Sequence, residues 1–355
     1  MKDIEKDKKH VLVVGNGFDL AIGRKTSYWD FFQSEYCPKR YPAPLIAYLN
    51  QNLEDENVRW LDLETALQNY AIEANSGKPV RDYFTVNEKQ LVEFILDEGS
   101  REKYAHKDFS CTYKDMVDKG KINRIDVSQP KLGFTLDELR KPAVERDRIA
   151  LQKIEEGLAA YLNGMAYKHP ETMNFADIIM ITALEDMDSK VYSFNYTNIS
   201  KVYTNDDYRA EDYDEKIHYV HGSLKSNHII VGAKDGDYGK YDFVQKAFDP
   251  EFGSNSLVRD LLEADEVNIY GHSLGDCDSQ YFMPFFLQQV QPTAQKKQIT
   301  IYTYDEKSKE SIKSNIQKLT GNKLSWLYSM NQFQILTQKE MVELYEHVKN
   351  IEKYK

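Results

Sequence analysis

The chain has 355 residues, of which 41% are hydrophobic and 29% are charged, and its formal net charge is −11. This composition is typical of a globular protein with a sizeable core, and the length exceeds that of one average domain. The negative charge argues against non-specific binding to nucleic acid, which needs a basic face. No apolar run approaches the roughly 20 residues that a membrane span needs, so we expect no association with a membrane.

The N-terminal residues and the cysteines indicate the cellular compartment. The first ten residues are charged and no apolar region follows them, so they do not resemble a signal peptide. Cys37, Cys111 and Cys277 are odd in number and far apart, which favours neither a disulfide framework nor a zinc site. We therefore expect a cytoplasmic protein without a bound metal.

A strand and a glycine turn begin the patterned part of the chain. The apolar run Val11-Leu-Val-Val14 predicts a buried strand, and Gly15-Asn16-Gly17 follows it at once, with Gly23 six positions further on. A glycine turn between a strand and a helix lets backbone N–H groups approach a phosphate. Asp19 lies inside this turn, where its carboxylate would accept hydrogen bonds from ribose hydroxyls or cap the helix.

Residues 45–186 form a long block with a helical pattern. Apolar side chains recur at three- and four-residue steps, which predicts helices at 45–53, 60–70, 87–97, 136–167 and 176–184 and a loop at 120–133. A crossover between parallel strands needs only about a dozen residues, so we interpret this block as a helical insertion. It divides the nucleotide-binding core into residues 1–44 and 187–355.

Strand patterns return after the insertion. Apolar runs occur at 191–194, 217–221, 229–231, 267–270, 299–302 and 333–336, with helical patterns at 255–264, 281–290 and 307–319 and at the C-terminus. This alternation predicts an α/β fold with an open, mostly parallel, Rossmann-like sheet and helices on both faces. The acidic segment 205–215 is predicted to be a solvated surface loop.

Four of the predicted strands end in glycine or in short polar residues. These ends are Gly15-Asn16-Gly17, Asn195, His221-Gly222 and Gly271-His272-Ser273. Carboxyl ends of parallel strands meet at one edge of the sheet, and ligands bind there where the strand order reverses. One such residue is usually structural, but four ends of this kind predict a nucleotide pocket.

These motifs resemble the AbiH family of bacteriophage abortive-infection proteins. The resemblance is carried by Gly15-Asn-Gly-Phe-Asp-Leu-Ala21, Asn195-Tyr-Thr197, His221-Gly222, Gly271-His-Ser-Leu-Gly-Asp-Cys-Asp278 and, in the helical block, Trp60-Leu-Asp-Leu-Glu64. It implies an antiphage role. By analogy, such a protein would deplete NAD during infection and stay inactive otherwise. Its activity would then be controlled by assembly into a homo-oligomer or by a phage-derived trigger.

The same motifs are similar, more distantly, to the sirtuin-like NAD-binding fold. The three glycines of residues 15–23 fit the spacing of the sirtuin opening, and Ser193-Phe-Asn195 corresponds to the segment with the invariant asparagine. His221-Gly222 corresponds to the catalytic histidine–glycine pair, and Gly271-His-Ser-Leu274 to the glycine-x-serine-leucine turn. The order of the motifs is the same, and the resemblance implies a sirtuin-like core that binds NAD.

Three departures limit this comparison. Sirtuin deacylases carry four zinc-binding cysteines between the histidine and the serine turn, and the interval from His221 to Ser273 contains none. Thr197 stands where sirtuins have an aspartate, and Asp19 replaces a serine. A protein deacylase is therefore disfavoured. Sirtuin-like antiphage proteins, which lack the zinc module and hydrolyse NAD, are the nearer comparison.

The residues themselves suit cleavage of the bond between nicotinamide and ribose. This reaction passes through an oxocarbenium-like state and needs charge stabilisation at C1′ rather than an acid. Neutral His221 would accept a proton from a ribose hydroxyl or from the attacking water, and Asn195 would hold both groups. Ser273 and the N–H groups after Gly271 would face phosphate or ribose at a helix N-terminus.

We therefore expect an NAD glycohydrolase in which NAD is the substrate and no metal takes part. The candidate catalytic residues are His221 and Asn195. The candidate nucleotide-binding residues are Gly15, Asn16, Gly17, Asp19, Gly23, Thr26, Gly222, Gly271, His272 and Ser273. Asp276 and Asp278 are predicted to cap a helix.

Other readings stay open. Gly271-x-Ser273-x-Gly275 also matches the nucleophile elbow of serine hydrolases, with Asp305 and His347 as triad partners, although His347 lies in a predicted helix. A nucleotide-binding sensor or interaction module without catalysis would need most of the same residues. A metal site at His218, His221 and His228 is disfavoured, because strand residues three apart point to opposite faces.

Overall fold

The computed structural model describes residues 8–53, 62–76, 138, 141–165, 173–204, 207–253 and 255–343. The helix predicted at 87–97, the loop predicted at 120–133, Cys111 and His347 lie outside these residues.

Six parallel strands form the central sheet. The strands of the chain are β1 (His10–Val14), β2 (Ser189–Ser193), β3 (Ile217–Tyr219), β4 (Gly222–Ser223), β5 (His228–Ile229), β6 (Glu266–Tyr270), β7 (Gln298–Thr303) and β8 (Gln332–Thr337). Their order in the sheet is β3-β2-β1-β6-β7-β8, and β4 and β5 form a separate antiparallel ribbon. Counted along the chain, the six sheet strands have the doubly wound order 3-2-1-4-5-6, which confirms the predicted Rossmann-like sheet.

The described helices surround this sheet or pack with one another. They are α1 (Asn16–Ala21), α2 (Tyr28–Gln33), α3 (Pro44–Leu53), α4 (Leu63–Asn75), α5 (Ala143–Asn163), α6 (Phe175–Glu185), α7 (Ser200–Tyr203), α8 (Asp207–Lys216), α9 (Leu257–Glu263), α10 (Ser279–Gln289), α11 (Glu306–Leu319) and α12 (Leu324–Met330).

The sheet buries an apolar layer on each face. Val11 and Val13 of β1 face a core formed with α9, α10, α11 and α12, in which Leu261, Phe282 and Ile316 are fully buried. Leu12 and Val14 face the opposite core, which contains α6 and part of α8. Alternate residues of a strand point to opposite faces, so the all-apolar run of β1 is what a strand covered on both sides requires.

Two elements differ from the sequence prediction. The acidic segment predicted as a solvated loop is mostly the helix α8, because Tyr213 is buried against the sheet and its hydroxyl donates to Glu185. The strand predicted at 229–231 is shorter in the structure: it is β5, His228–Ile229, which pairs antiparallel with β4 outside the central sheet.

The chain divides into two compact units. The first consists of Met1–Ser27, Leu162–Ile230 and Pro250–Lys355, and the second of Tyr28–Tyr161 and Val231–Asp249. These bounds differ from the predicted divisions at 44 and 186. Helix α6 groups with the sheet because Met180 and Leu184 pack in its core.

The second unit is held together by buried polar contacts as well as by apolar packing. Asp147 of α5 accepts hydrogen bonds from the Leu45 backbone at 2.8 Å and from the Tyr70 hydroxyl. Lys246 is 1% exposed and its ammonium group pairs with Glu64 of α4 at 2.8 Å. This buried pair explains why the segment Val231–Asp249 groups with helices that are distant in sequence.

Candidate functional site

The turn after β1 meets the turn after β6 at the point where the strand order reverses. Gly15 N–H donates to Tyr270 O at 3.0 Å, and Gly17 N–H donates to Gly271 O at 2.9 Å. A Cβ atom on Gly17 would lie 2.7 Å from the Gly271 Cα atom. The glycines therefore allow two turns of the same chain to approach each other. Their assignment as phosphate contacts stays a prediction.

Gly23 has a local structural role. Its N–H donates to Leu20 O and the Arg24 N–H donates to Asp19 O, which are the two hydrogen bonds of a Schellman motif at the end of α1. Its φ of +83° is a conformation that favours glycine, and a Cβ atom there would meet nothing within 4 Å. The neighbouring Thr26 hydroxyl donates to the side-chain oxygen of Asn16 at 2.6 Å, so these two predicted ligand residues contact each other.

A buried polar cluster joins α1 to the segment after β2. Asp19 is fully buried and accepts a hydrogen bond from the Thr197 hydroxyl at 2.8 Å. The Asn195 amide donates to Gly15 O at 3.0 Å and also bonds Asp19. Burial raises the pKa of Asp19, against the opposing effects of the Arg24 charge and of these two hydrogen bonds. Asp19 is thus a buried acceptor that links α1 to the segment after β2.

Two histidines share one carboxylate beside this cluster. His221 Nε2 lies 3.5 Å from Asp278 Oδ1, and His272 Nε2 lies 3.2 Å from Asp278 Oδ2. His272 Nδ1 accepts a hydrogen bond from Leu274 N–H at 3.0 Å, which places the proton of a neutral imidazole on Nε2, facing the carboxylate. His221 and His272 are only 3% and 5% exposed, so these contacts are shielded from solvent.

Phe194 packs between the two imidazoles. Its ring centroid lies 5.2 Å from that of His221 and 4.4 Å from that of His272, both edge to face. Phe282 of α10 stacks on the same ring at 5.6 Å. Phe194, the residue immediately before Asn195, thus contacts both histidines.

We call Asp19, Asn195, Thr197, His221, His272 and Asp278 the switch-point cluster.

Ser273 lies apart from the imidazole pair. It is exposed, and its hydroxyl accepts a hydrogen bond from Gly275 N–H at 3.3 Å. Helical structure begins three residues later, where a short 3-10 helix, Asp276–Asp278, runs into α10, and the predicted role of Ser273 at a helix N-terminus stays a prediction. Within this turn the positive φ values belong to Gly271 and Leu274 rather than to Ser273, and Asp305 caps α11 by accepting from Ser308 N–H. These features disfavour a nucleophile elbow, and His347 lies outside the described residues.

The sequence prediction that Asp278 caps a helix missed the contacts of this carboxylate with two histidines. Asp278 stands at the N-cap position of α10, where an aspartate usually bonds the first helical N–H groups, but its side chain makes no capping bond. The carboxylate faces His221 and His272 instead. The Asp278 side chain is only 15% exposed, and this burial distinguishes a partner of the histidines from a helix cap. Burial of this kind is visible only in the folded structure.

Within the described residues, no group of three or more His, Cys, Asp or Glu side chains is arranged to hold a metal ion. In the same part of the chain, none of the helices has both the length and the apolar character needed to cross a bilayer. Gly222, with φ +74°, serves the β4–β5 ribbon, since a Cβ atom there would lie 2.4 Å from His228 O.

The fold and the cluster define a doubly wound α/β protein whose polar residues meet at the switch point of a parallel sheet. A family model described as bacteriophage abortive infection AbiH matches residues 11–305. Because this match covers most of the chain, the protein belongs to the AbiH family of abortive-infection proteins. No curated protein and no solved structure gives a significant match.

Proposed function

We propose that this AbiH-family protein binds NAD at the switch point of its sheet and hydrolyses the bond between nicotinamide and ribose. One observation carries the proposal: His221 and His272 share the Asp278 carboxylate directly beside Asn195 and the turn after β1. An imidazole oriented by a carboxylate is a common general base, and the carboxyl edge of a doubly wound sheet is a common nucleotide site.

The proposed reaction uses one water molecule. The C1′–nicotinamide bond breaks and its electron pair leaves with nicotinamide, while the water oxygen bonds to C1′ and gives ADP-ribose. His221 accepts the proton that the water loses, and Asp278 stabilises the resulting imidazolium. Asn195 holds the water and a ribose hydroxyl.

Access to the cluster is restricted in this structure. Asn195 is 6% exposed and His221 is 3% exposed, so neither side chain meets a substrate without movement of the turns that carry them. Such a closed state is what a protein that depletes NAD needs in an uninfected cell. We propose that a trigger, through oligomerisation or a phage component, opens the turns after β2 and β3.

Nicotinamide release from NAD by the purified full-length protein tests this function. We expect His221→Ala and Asn195→Ala to lower the rate by about 100-fold or more, and Asp278→Asn to lower it because His221 loses its charged partner. His10→Gln is the matched control, because His10 pairs with Asp186 at 2.6 Å at the opposite end of β1. Equal rates for the wild type and all three cluster variants would exclude the mechanism.

The burial of Asn195 and His221 favours a second candidate, a sensor that binds a nucleotide without cleaving it. A sensor requires residues that bind the nucleotide but no general base next to the ribose C1′ atom. Calorimetric titration with NAD separates the two candidates: binding that Asn195→Ala weakens, without nicotinamide release under any condition, would support the sensor. Hydrolysis of a simple ester that only Ser273→Ala abolishes would instead support a serine hydrolase.

A further inference from the structure

A cleft that includes no residue of the switch-point cluster lies beside the strand β3. It has a volume of about 650 Å³, and its lining includes Tyr192, His218, Tyr219, Asn255, Ser256 and Arg259. Clefts of about 300–1,000 Å³ are typical of sites for small molecules. In the described sheet β3 is the terminal strand, next to β2, so the cleft lies at the sheet edge.

The described residues that line this cleft include the cation Arg259 and no carboxylate, although the chain as a whole carries −11. Asp260 accepts hydrogen bonds from Lys190 at 2.8 Å, from Ser256 at 2.8 Å and from Tyr192. The Arg259 guanidinium reaches Asp260 only through Nε, at 3.4 Å, and its side chain is 67% exposed. Lys190, Ser256 and Tyr192 all lie closer to the Asp260 carboxylate than Arg259 does. The Arg259 guanidinium is therefore available to a second anion.

An aromatic surface lies next to this cation. The His218 ring packs against the buried Tyr192 ring, with centroids 5.0 Å apart and planes tilted by 31°. Burial lowers the pKa of His218, the Lys190 charge lowers it further, and Asp260 opposes them. The imidazole is therefore neutral at pH 7, and because His218 is half-buried it presents a ring surface on which a planar group can stack.

We propose that this cleft binds a planar aromatic anion of mononucleotide size, with its ring on His218 and its phosphate or carboxylate on the Arg259 guanidinium. Both contacts come from the first unit of the chain, and the site is independent of the hydrolysis proposed above. It gives the protein a second small-molecule site, separate from the candidate catalytic residues.

Calorimetric titration of the full-length protein with adenosine monophosphate tests this site. We expect Arg259→Gln and His218→Leu each to weaken binding by about tenfold, because each removes one of the two contacts. Adenosine, which lacks the phosphate, and ribose 5-phosphate, which lacks the base, should bind more weakly than adenosine monophosphate. The matched control is Arg209→Gln, since Arg209 is also exposed and paired with a carboxylate, that of Glu185.

The position of the bound nucleotide separates this proposal from the proposed NAD site. We expect His221→Ala to leave the affinity for adenosine monophosphate unchanged and the His218 ring protons to shift in the NMR spectrum on titration. Affinity that depends on His221 but not on Arg259 would place the nucleotide at the switch point and overturn the proposal. Absence of binding at millimolar nucleotide would also overturn it.

Discussion

At the scale of single residues, Asp278 connects two turns of the chain, one with His221 and the other with His272. A carboxylate has two oxygens, so one side chain faces His221 Nε2 through Oδ1 at 3.5 Å and His272 Nε2 through Oδ2 at 3.2 Å. The Leu274 N–H fixes the tautomer of His272 from the other side. The positions of both imidazoles therefore depend on a residue that makes no capping bond to its own helix.

Asp260 leads to a prediction about stability. Burial alone would raise its pKa, but hydrogen bonds from Lys190, Tyr192 and Ser256 outweigh burial and lower the pKa to about 2. We expect Asp260→Asn to lower the free energy of unfolding by about 3 kcal/mol at pH 7, because Lys190 and two hydroxyls lose a charged acceptor. Urea unfolding of the two proteins measures this difference.

The pH dependence of this difference follows from the lowered pKa. The ionised carboxylate stabilises the folded protein above the ordinary aspartate pKa of 3.8, and this stabilisation is lost as the pH falls towards 2. The gap between wild type and Asp260→Asn should therefore be constant from pH 5 to 8 and narrow below about pH 4. A gap that widens on acidification would contradict this role of Asp260.

At the scale of elements, the contact between the turns after β1 and β6 explains two of the glycines. Gly271 has φ +64°, and a Cβ atom there would lie 2.4 Å from the Phe18 backbone nitrogen. We expect Gly271→Ala to lower the free energy of unfolding by roughly 3 kcal/mol or more, because backbone atoms of α1 would have to move. Thermal or urea unfolding measures the loss.

Gly23→Ala is the matched control for this experiment. Its φ of +83° is also positive, but a Cβ atom would meet open space, so only backbone strain of about 1 kcal/mol is expected. Equal losses for the two variants would mean that the close approach of the turns contributes nothing beyond the backbone conformation.

In the second unit, Glu155 of α5 accepts a hydrogen bond from Val231 N–H at 3.0 Å. Burial raises the pKa of Glu155 to about 8, a value that includes a lowering by the Val231 N–H and smaller increases from the nearby Asp249 and Glu156. Since the folded protein holds this proton more tightly than the unfolded chain, stability falls as the pH rises from 4.5 to 8. Glu155→Gln keeps the acceptor oxygen and removes the charge.

We therefore expect Glu155→Gln to be more stable than wild type at pH 9, by roughly 2 kcal/mol, and nearly equal to it at pH 4. Glu156→Gln, at the exposed neighbouring position, should show no such change. Urea unfolding at both pH values provides the measurement. Parallel pH profiles for wild type and Glu155→Gln would exclude a buried titrating carboxyl here.

The elements of the sheet could be predicted because their patterns are local. The apolar run at Val11–Val14 and the runs at 267–270 and 299–302 each correspond to a strand of the sheet. Helix α8 could not be predicted, because its acidic residues suggest solvent exposure and the buried position of Tyr213 depends on the distant α6. Helix α10, by contrast, was predicted at 281–290 from its apolar pattern and begins at Ser279.

At the scale of the whole molecule, the sequence predicted which strand ends meet but not what joins them. Asn195, His221 and His272 were predicted from their positions after strands, and the strand order brings these ends to one edge of the sheet. The pairing of both histidines with Asp278 depends on side-chain directions that no spacing specifies. The grouping of Val231–Asp249 with the helical unit likewise depends on a buried ion pair between distant residues.

The central claim is that an AbiH-family protein uses His221 to hydrolyse NAD, and one measurement tests it most directly. Nicotinamide release is followed with purified protein, alone and with an extract of phage-infected cells as the source of a trigger. We predict release by the wild type and by His10→Gln in at least one of these conditions, and a loss of about 100-fold or more in His221→Ala. Equal release by His221→Ala, or no release by the wild type in either condition, would contradict the claim.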